Sequence, residues 1–167
     1  MKMKNVFRIF LLACGVLLTH FQIQAQTEKQ QKKAEEAASI NAAIDHQHFI
    51  FNAQSMIPMS GLSRQLSGGY DLTISNDKVI SFLPYMGRIY MPPIDPAQAP
   101  LRFTSSEFTY NAERTKKNGW NISIKPKDIS TVREMNLNIA EDGAATLQVS
   151  GNDRQPITFY GYVTGNT

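Results

Sequence analysis

The stretch EMNLNIAEDGAATLQV, Glu134–Val149, decides the fold. Met135, Leu137 and Ile139 alternate with Glu134, Asn136 and Asn138. A period of two sends one set of side chains into a core and the other into water, which is the mark of a half-buried strand. Asp142-Gly143 interrupts the run, and an Asp-Gly pair suits the positive φ angles of a type I′ hairpin turn. AATLQV then returns as a second strand, so an antiparallel pair with one dry face is expected.

The same period extends in both directions. Trp120, Ile122 and Ile124 alternate with Asn121, Ser123 and Lys125. Ile157, Phe159 and Val163 alternate with Thr158, Tyr160 and Tyr162. Upstream, Phe49, Phe51 and Ala53 alternate with Ile50, Asn52 and Gln54, and Tyr70, Leu72 and Ile74 with Asp71, Thr73 and Ser75. Val79–Leu83 (VISFL) is nearly continuous apolar sequence and is expected to be covered on both faces. Asn76-Asp77, Asn118-Gly119 and Ser150–Asp153 fall between these runs as turns. PPIDPAQAP, ending at Pro100, cannot donate ladder hydrogen bonds and reads as a loop. The expected fold is all-β and antiparallel: a small lipocalin-like barrel or a two-sheet sandwich of about 8–10 strands. A helix over residues 26–45 precedes it, with Ala37, Ile40 and Ile44 as its thin apolar stripe.

Residues 1–25 read as an export signal. Lys2, Lys4 and Arg8 precede the apolar run IFLLACGVLL, which is too short to span a bilayer, and a cut is expected between Ala25 and Gln26. Leu11–Gly15 (LLACG) offers an alternative, lipidation of Cys14 and anchoring through it. The apolar run continues past Cys14, which favours plain cleavage and a periplasmic or secreted protein of residues 26–167, with residues 46–167 as the β domain. Removing Lys2, Lys4 and Arg8 from the 17 Lys and Arg leaves 14, equal to the 14 Asp and Glu. A neutral mature chain lacks the basic excess that nucleic acid demands, so no nucleic-acid partner is expected.

The least generic stretch is Leu83–Tyr90, LPYMGRIY. Pro84 breaks a strand, Gly87 permits a bulge, and Arg88 stands among tyrosines. Two rings and a guanidinium can hold a flat or anionic ligand, which makes Tyr85, Arg88 and Tyr90 candidate ligand contacts, and Trp120 is a further candidate if its ring lies outside the core. The bland reading is a bend that closes the sheet, with Arg88 lying along a tyrosine or bonding an acid. His46 and His48, two apart on an expected strand, fall short of the three or four ligands zinc requires, so no metal and no cofactor is expected. Arg114–Gly119 reads as a solvated basic hairpin tip, and the sequon at Asn121 as chance.

YDLTISNDKVISFLPYMGRIYMPP, LRFTSSEFTY, the W-x-I-x-I-K segment of Trp120–Lys125 and LNIAEDGAATLQVSGNDRQPITFYG together resemble the domain of unknown function 4251 family, small exported proteins of Bacteroidetes-type bacteria. The resemblance covers about residues 48 to 163, and Leu83, Pro84, Tyr85, Gly87 and Arg88 are its most specific element. It implies export and a β fold, and brings no reaction and no functional residue with it.

No catalytic motif is present in the sequence. The leading expectation is a non-enzymatic periplasmic or envelope binding module for a small apolar ligand, held, if the fold is a barrel, in an interior lined by Tyr, Phe and Met. Met56, Met59, Met86, Met91 and Met135 either line such a pocket or, the favoured reading, fill gaps in an ordinary core. The alternatives are a structural or protein–protein interaction module of the cell envelope, and a hydrolase whose carboxylates meet from separate strands. The mature form is expected to have no membrane span, and the sequence sets no oligomeric state.

Overall fold

A computed structural model describes residues 30–59, 61–91 and 100–165. The expected signal with Cys14, Ala25 and Gln26, and residues 92–99 of the proline-rich loop, lie outside the described residues. Helix α1 covers residues 30–45, and from Ala37 onward it belongs with the strands to one compact unit. Ile44 is buried and Ile40 and Ala43 pack against the core, so the thin stripe is the docked face.

The helix ends in a Schellman turn. His48 N donates to Ala43 O at 2.8 Å and Gln47 N to Ile44 O at 3.0 Å, with Gln47 in the left-handed region at φ 50°. This corrects one expectation. His46 and His48 flank the helix cap, and the first strand begins only at Phe49, so they do not share a strand face. Among the described residues, no group of three or more His, Cys, Asp and Glu is placed to hold a metal ion. No helix among them is long and apolar enough to cross a membrane.

Ten strands follow: β1 (Phe49–Pro58), β2 (Arg64–Gln65), β3 (Asp71–Ile74), β4 (Val79–Leu83), β5 (Leu101–Ser105), β6 (Phe108–Arg114), β7 (Trp120–Pro126), β8 (Val132–Ile139), β9 (Ala144–Gly151) and β10 (Ile157–Gly165). Nine form one antiparallel path, β5-β4-β3-β1-β10-β9-β8-β7-β6, and the two-residue β2 adds to β1. Counting reversals along this path, β5 and β6 run in the same direction, yet only Ser106 and Glu107 lie between them. A parallel crossover needs a dozen or more residues. β5 and β6 are therefore two halves of one bent strand, the first half laddered to β4 and the second to β7. The sheet curls until its two edges are successive segments of the same chain. That makes it a nearly closed barrel, and settles barrel against sandwich.

Asp128, in the β7–β8 turn, holds the bend. Its carboxylate accepts from Ser105 Oγ, from Ser106 N at 2.9 Å and from Glu107 N at 3.3 Å. These bonds, that of Ser105 foremost, hold the carboxyl below its ordinary range. A depressed folded value means the contribution is complete above the unfolded pKa, about 3.9, and fades as pH falls through the folded one. Asp128→Asn is expected to lower the urea midpoint at pH 7, with the gap to wild type narrowing at pH 3. A constant gap from pH 7 to pH 3 would remove the anion from the account.

The barrel axis is filled by side chains. Phe49, Phe51, Met56, Leu72, Ile74, Met135, Leu147 and Phe159 are each 0% exposed. Burying side chains of this size stabilises by about 1.5–3 kcal/mol apiece. In β1 a bulge between Ala53 and Ser55 shifts the phase, so Phe51 and Ala53 point inward before it, and Met56 and Pro58 after it. β4 departs from expectation. Ser81 is the inward residue, its Oγ donating to Leu101 O at 2.7 Å, and Phe82 faces out beneath the Arg102 guanidinium. VISFL is thus a one-faced strand. The Asp142-Gly143 turn also differs, because only Gly143 has positive φ, at 82°. With Gly143 N donating to Ala140 O, the connection is a type I turn closed by a left-handed glycine.

Candidate functional site

Two regions emerge from this frame. The first is built by LPYMGRIY. After β4, Pro84 turns the chain away, and Ile89 bridges to Arg154 in the β9–β10 connection. Gln155 N donates to Arg88 O at 3.0 Å and Tyr90 N to Asp153 O at 2.7 Å. The Tyr85 hydroxyl lies 2.9 Å from both Arg88 O and Gln155 O, and donates toward these carbonyls. Its ring folds over Gly87, where a Cβ would overlap the hydroxyl. Burial pushes the phenol pKa up, against the pull of the nearby Arg154 charge. Behind the ring, Arg154 and Asp153 form a two-pronged ion pair at 2.8 and 3.0 Å, both residues buried. The bond from Arg154 holds the Asp153 carboxyl below its ordinary range.

This corrects the assignment of the guanidinium. The one stacked on Tyr85, 4.9 Å from its centroid, belongs to Arg154, whereas Arg88 is exposed. Tyr85, Arg88 and Tyr90 do come together. Trp120 does not join them. It pairs with Ile139 at the far end of β8, while Gly151 of this region pairs with Val132 at the near end. The intervening strand is about 25 Å long. Trp120 is 6% exposed and its Nε1 donates to Asn41 Oδ1 at 2.8 Å.

The second region was not singled out by sequence reasoning. On the outside of β6–β10, register aligns Asn111, Ser123, Asn136, Gln148 and Thr158 in one row. Glu113, Asn121, Asn138, Thr146 and Tyr160 form the next. All except Tyr160 line an open cavity of about 590 Å³, and Glu113 at its margin is their one ionisable lining group. Asn138 Nδ2 donates to Asn121 Oδ1, and Asn111 Nδ2 to Glu113 Oε1 at 3.0 Å. A second open cavity of about 440 Å³, around β1 and β3, includes Asn52, Gln54, Asp71 and Tyr162. The available signal was composition: Asn121, Ser123, Asn136, Asn138, Thr146, Gln148 and Thr158 put amides and hydroxyls at wet positions of β7–β10 where Lys and Glu are the ordinary choice, with Lys125 and Glu134 the charged exceptions, paired with each other at 3.5 Å.

The family model of the Domain of unknown function (DUF4251) matches residues 31–163. The chain belongs to that family. Among solved structures, it is similar to a DUF4251 family protein from Bacteroides eggerthii DSM 20697, with a TM-score of 0.59 and 16% identity. The likeness covers 80% of this chain and 91% of that one, and shows the fold. Curated proteins give no match. In this DUF4251 chain the LPY-x-G-R segment has a structural task. Tyr85 needs the bare Gly87 beneath it to reach two carbonyls, and so clasps the β4–β5 connection to the β9–β10 connection.

Proposed function

We propose that this DUF4251 domain is a non-enzymatic binding module of the cell envelope, exported by residues 1–25, whose recognition surface is the outer face of β6–β10. The observation that carries the reading is the cavity of about 590 Å³ on that face, set against a barrel axis occupied by Phe49, Phe51, Met56 and Phe159 at 0% exposure. The methionines divide accordingly. Met56 and Met135 are core, while Met59, Met86 and Met91 are exposed, so they do not jointly line a lumen for an apolar ligand. A lining made mostly of uncharged donors and acceptors, with Glu113 at its margin and Glu134 held by Ser123 and Lys125, is suited to holding a ligand.

An interaction role has its own observation. Met86, Tyr90 and Met91, near one another along the segment after β4, are 54%, 61% and 66% exposed, an apolar presentation suited to contact with another envelope component.

Native mass spectrometry of the protein isolated from its host envelope tests both. It is expected to show a chain beginning at Gln26 and co-purified material that Asn136→Lys with Gln148→Lys removes. Material retained by that double variant and lost on Met86→Ser with Tyr90→Ser would transfer the role to the apolar surface.

A further inference from the structure

We infer that the ligand of the β6–β10 outer face is a neutral, hydroxyl-rich chain, an oligosaccharide laid across the strands; this rests on the binding role proposed above. The argument is one of complementarity. Each Asn or Gln amide presents two donors and one acceptor, and each Ser or Thr hydroxyl presents both functions. Asn121, Ser123, Asn136, Asn138, Thr146 and Gln148 supply that mixture from the lining with no formal charge of their own, and the nearest charges, Glu134 bonded to Ser123 Oγ at 2.9 Å and Lys125 at 3.5 Å from Glu134, offset each other. A nucleic acid or other polyanion would demand cations there. A polycation would demand more than Glu113 at the margin and a Glu134 already engaged by Ser123 and Lys125. An apolar ligand would strand the amides without partners, at a cost per group of about 1–3 kcal/mol. An added peptide strand pairs with a sheet edge, whereas this surface is the side-chain face of paired strands. Sugar hydroxyls, which donate and accept at every position, match the lining.

The spacing agrees. Successive side chains in a row stand one strand apart, about 4.8 Å, close to the length of one sugar ring in an extended chain. Tyr160 ends the second row beside Thr146 and is 43% exposed, offering a ring face on which the C–H side of a pyranose stacks. A surface of this kind binds through water as well as directly.

The test is titration of the ¹⁵N-labelled protein, as its host produces it, with neutral hexaoses of glucose, xylose, mannose and N-acetylglucosamine. Hexagalacturonate serves as the charged comparator. At least one neutral hexaose is expected to shift the side-chain amide signals of Asn136, Asn138 and Gln148. Asn136→Ala and Tyr160→Ala are each expected to weaken that hexaose at least tenfold, with an unchanged circular dichroism spectrum. Gln148→Glu, a conservative change in shape, provides a second variant should either fail to fold, and the same loss is expected. No shift with any neutral hexaose at millimolar concentration, or shifts with hexagalacturonate alone, overturns the inference. If host-derived material still shifts these signals, the binding face stands and only the sugar assignment falls. Shifts confined to other residues bring down both.

Discussion

Trp120→Ala is expected to cost about 3–5 kcal/mol of folding stability, read from urea unfolding at neutral pH. The ring opens β7 at 6% exposure, packed in the barrel end that α1 closes. Removing it leaves a cavity in the core beside its β8 partner Ile139. It also takes from Asn41 Oδ1 its indole donor at 2.8 Å, and from Arg114 the ring 4.5 Å beneath its guanidinium. Trp120→Phe separates these terms. It keeps most of the apolar volume and loses the hydrogen bond, so a smaller loss of about 1–3 kcal/mol is expected. A Trp120→Ala midpoint equal to wild type would place the ring outside the core and restore it as a ligand contact.

Asp153→Ala is expected to be comparably damaging, at about 3–5 kcal/mol. The carboxylate meets Arg154 through two bonds, and the Arg154 side chain is only 1% exposed. Taking away the anion removes two charge-assisted bonds from a guanidinium that water cannot reach, beside a tyrosine face. The sign of the double change distinguishes the pair from its parts. Asp153→Ala with Arg154→Met is expected to recover part of the loss, because an apolar side chain of similar length needs no counter-charge. If the double variant is no better than Asp153→Ala, the burial of the charge is not the cause. The Tyr85 ring signals in an NMR spectrum then show whether the clasp itself has opened.

Most strands and several turns were legible in the residues. Period two is a local property: Met135, Leu137 and Ile139 point inward whatever they pair with, and turn residues at Asn76-Asp77 and Asn118-Gly119 mark their ends without help. The exceptions are instructive. Beyond Gln54 the β1 alternation changes phase at a bulge, and a bulge is defined by its partner strand, here β10. VISFL looked two-faced because Phe82 is apolar, yet Phe82 faces outward under Arg102 from the neighbouring β5. Arg88 was the natural choice for the guanidinium on Tyr85 because it is three residues away. Arg154, 69 positions downstream of Tyr85, takes that place through a bridge the local sequence does not encode.

By itself, then, the sequence determined most of the strands, the dry face of those that alternate without a bulge, and that one helix stripe would dock. Tertiary structure alone decided that β5 and β6 are one bent strand closing the barrel, that Trp120 and Tyr85 sit at opposite ends of β8, and that ten polar positions from five strands align as two rows. The physical reason is range. Side-chain alternation follows from the geometry of one backbone, whereas closure and alignment depend on register between strands distant in the chain, where a slip of one residue exchanges every inward side chain for an outward one.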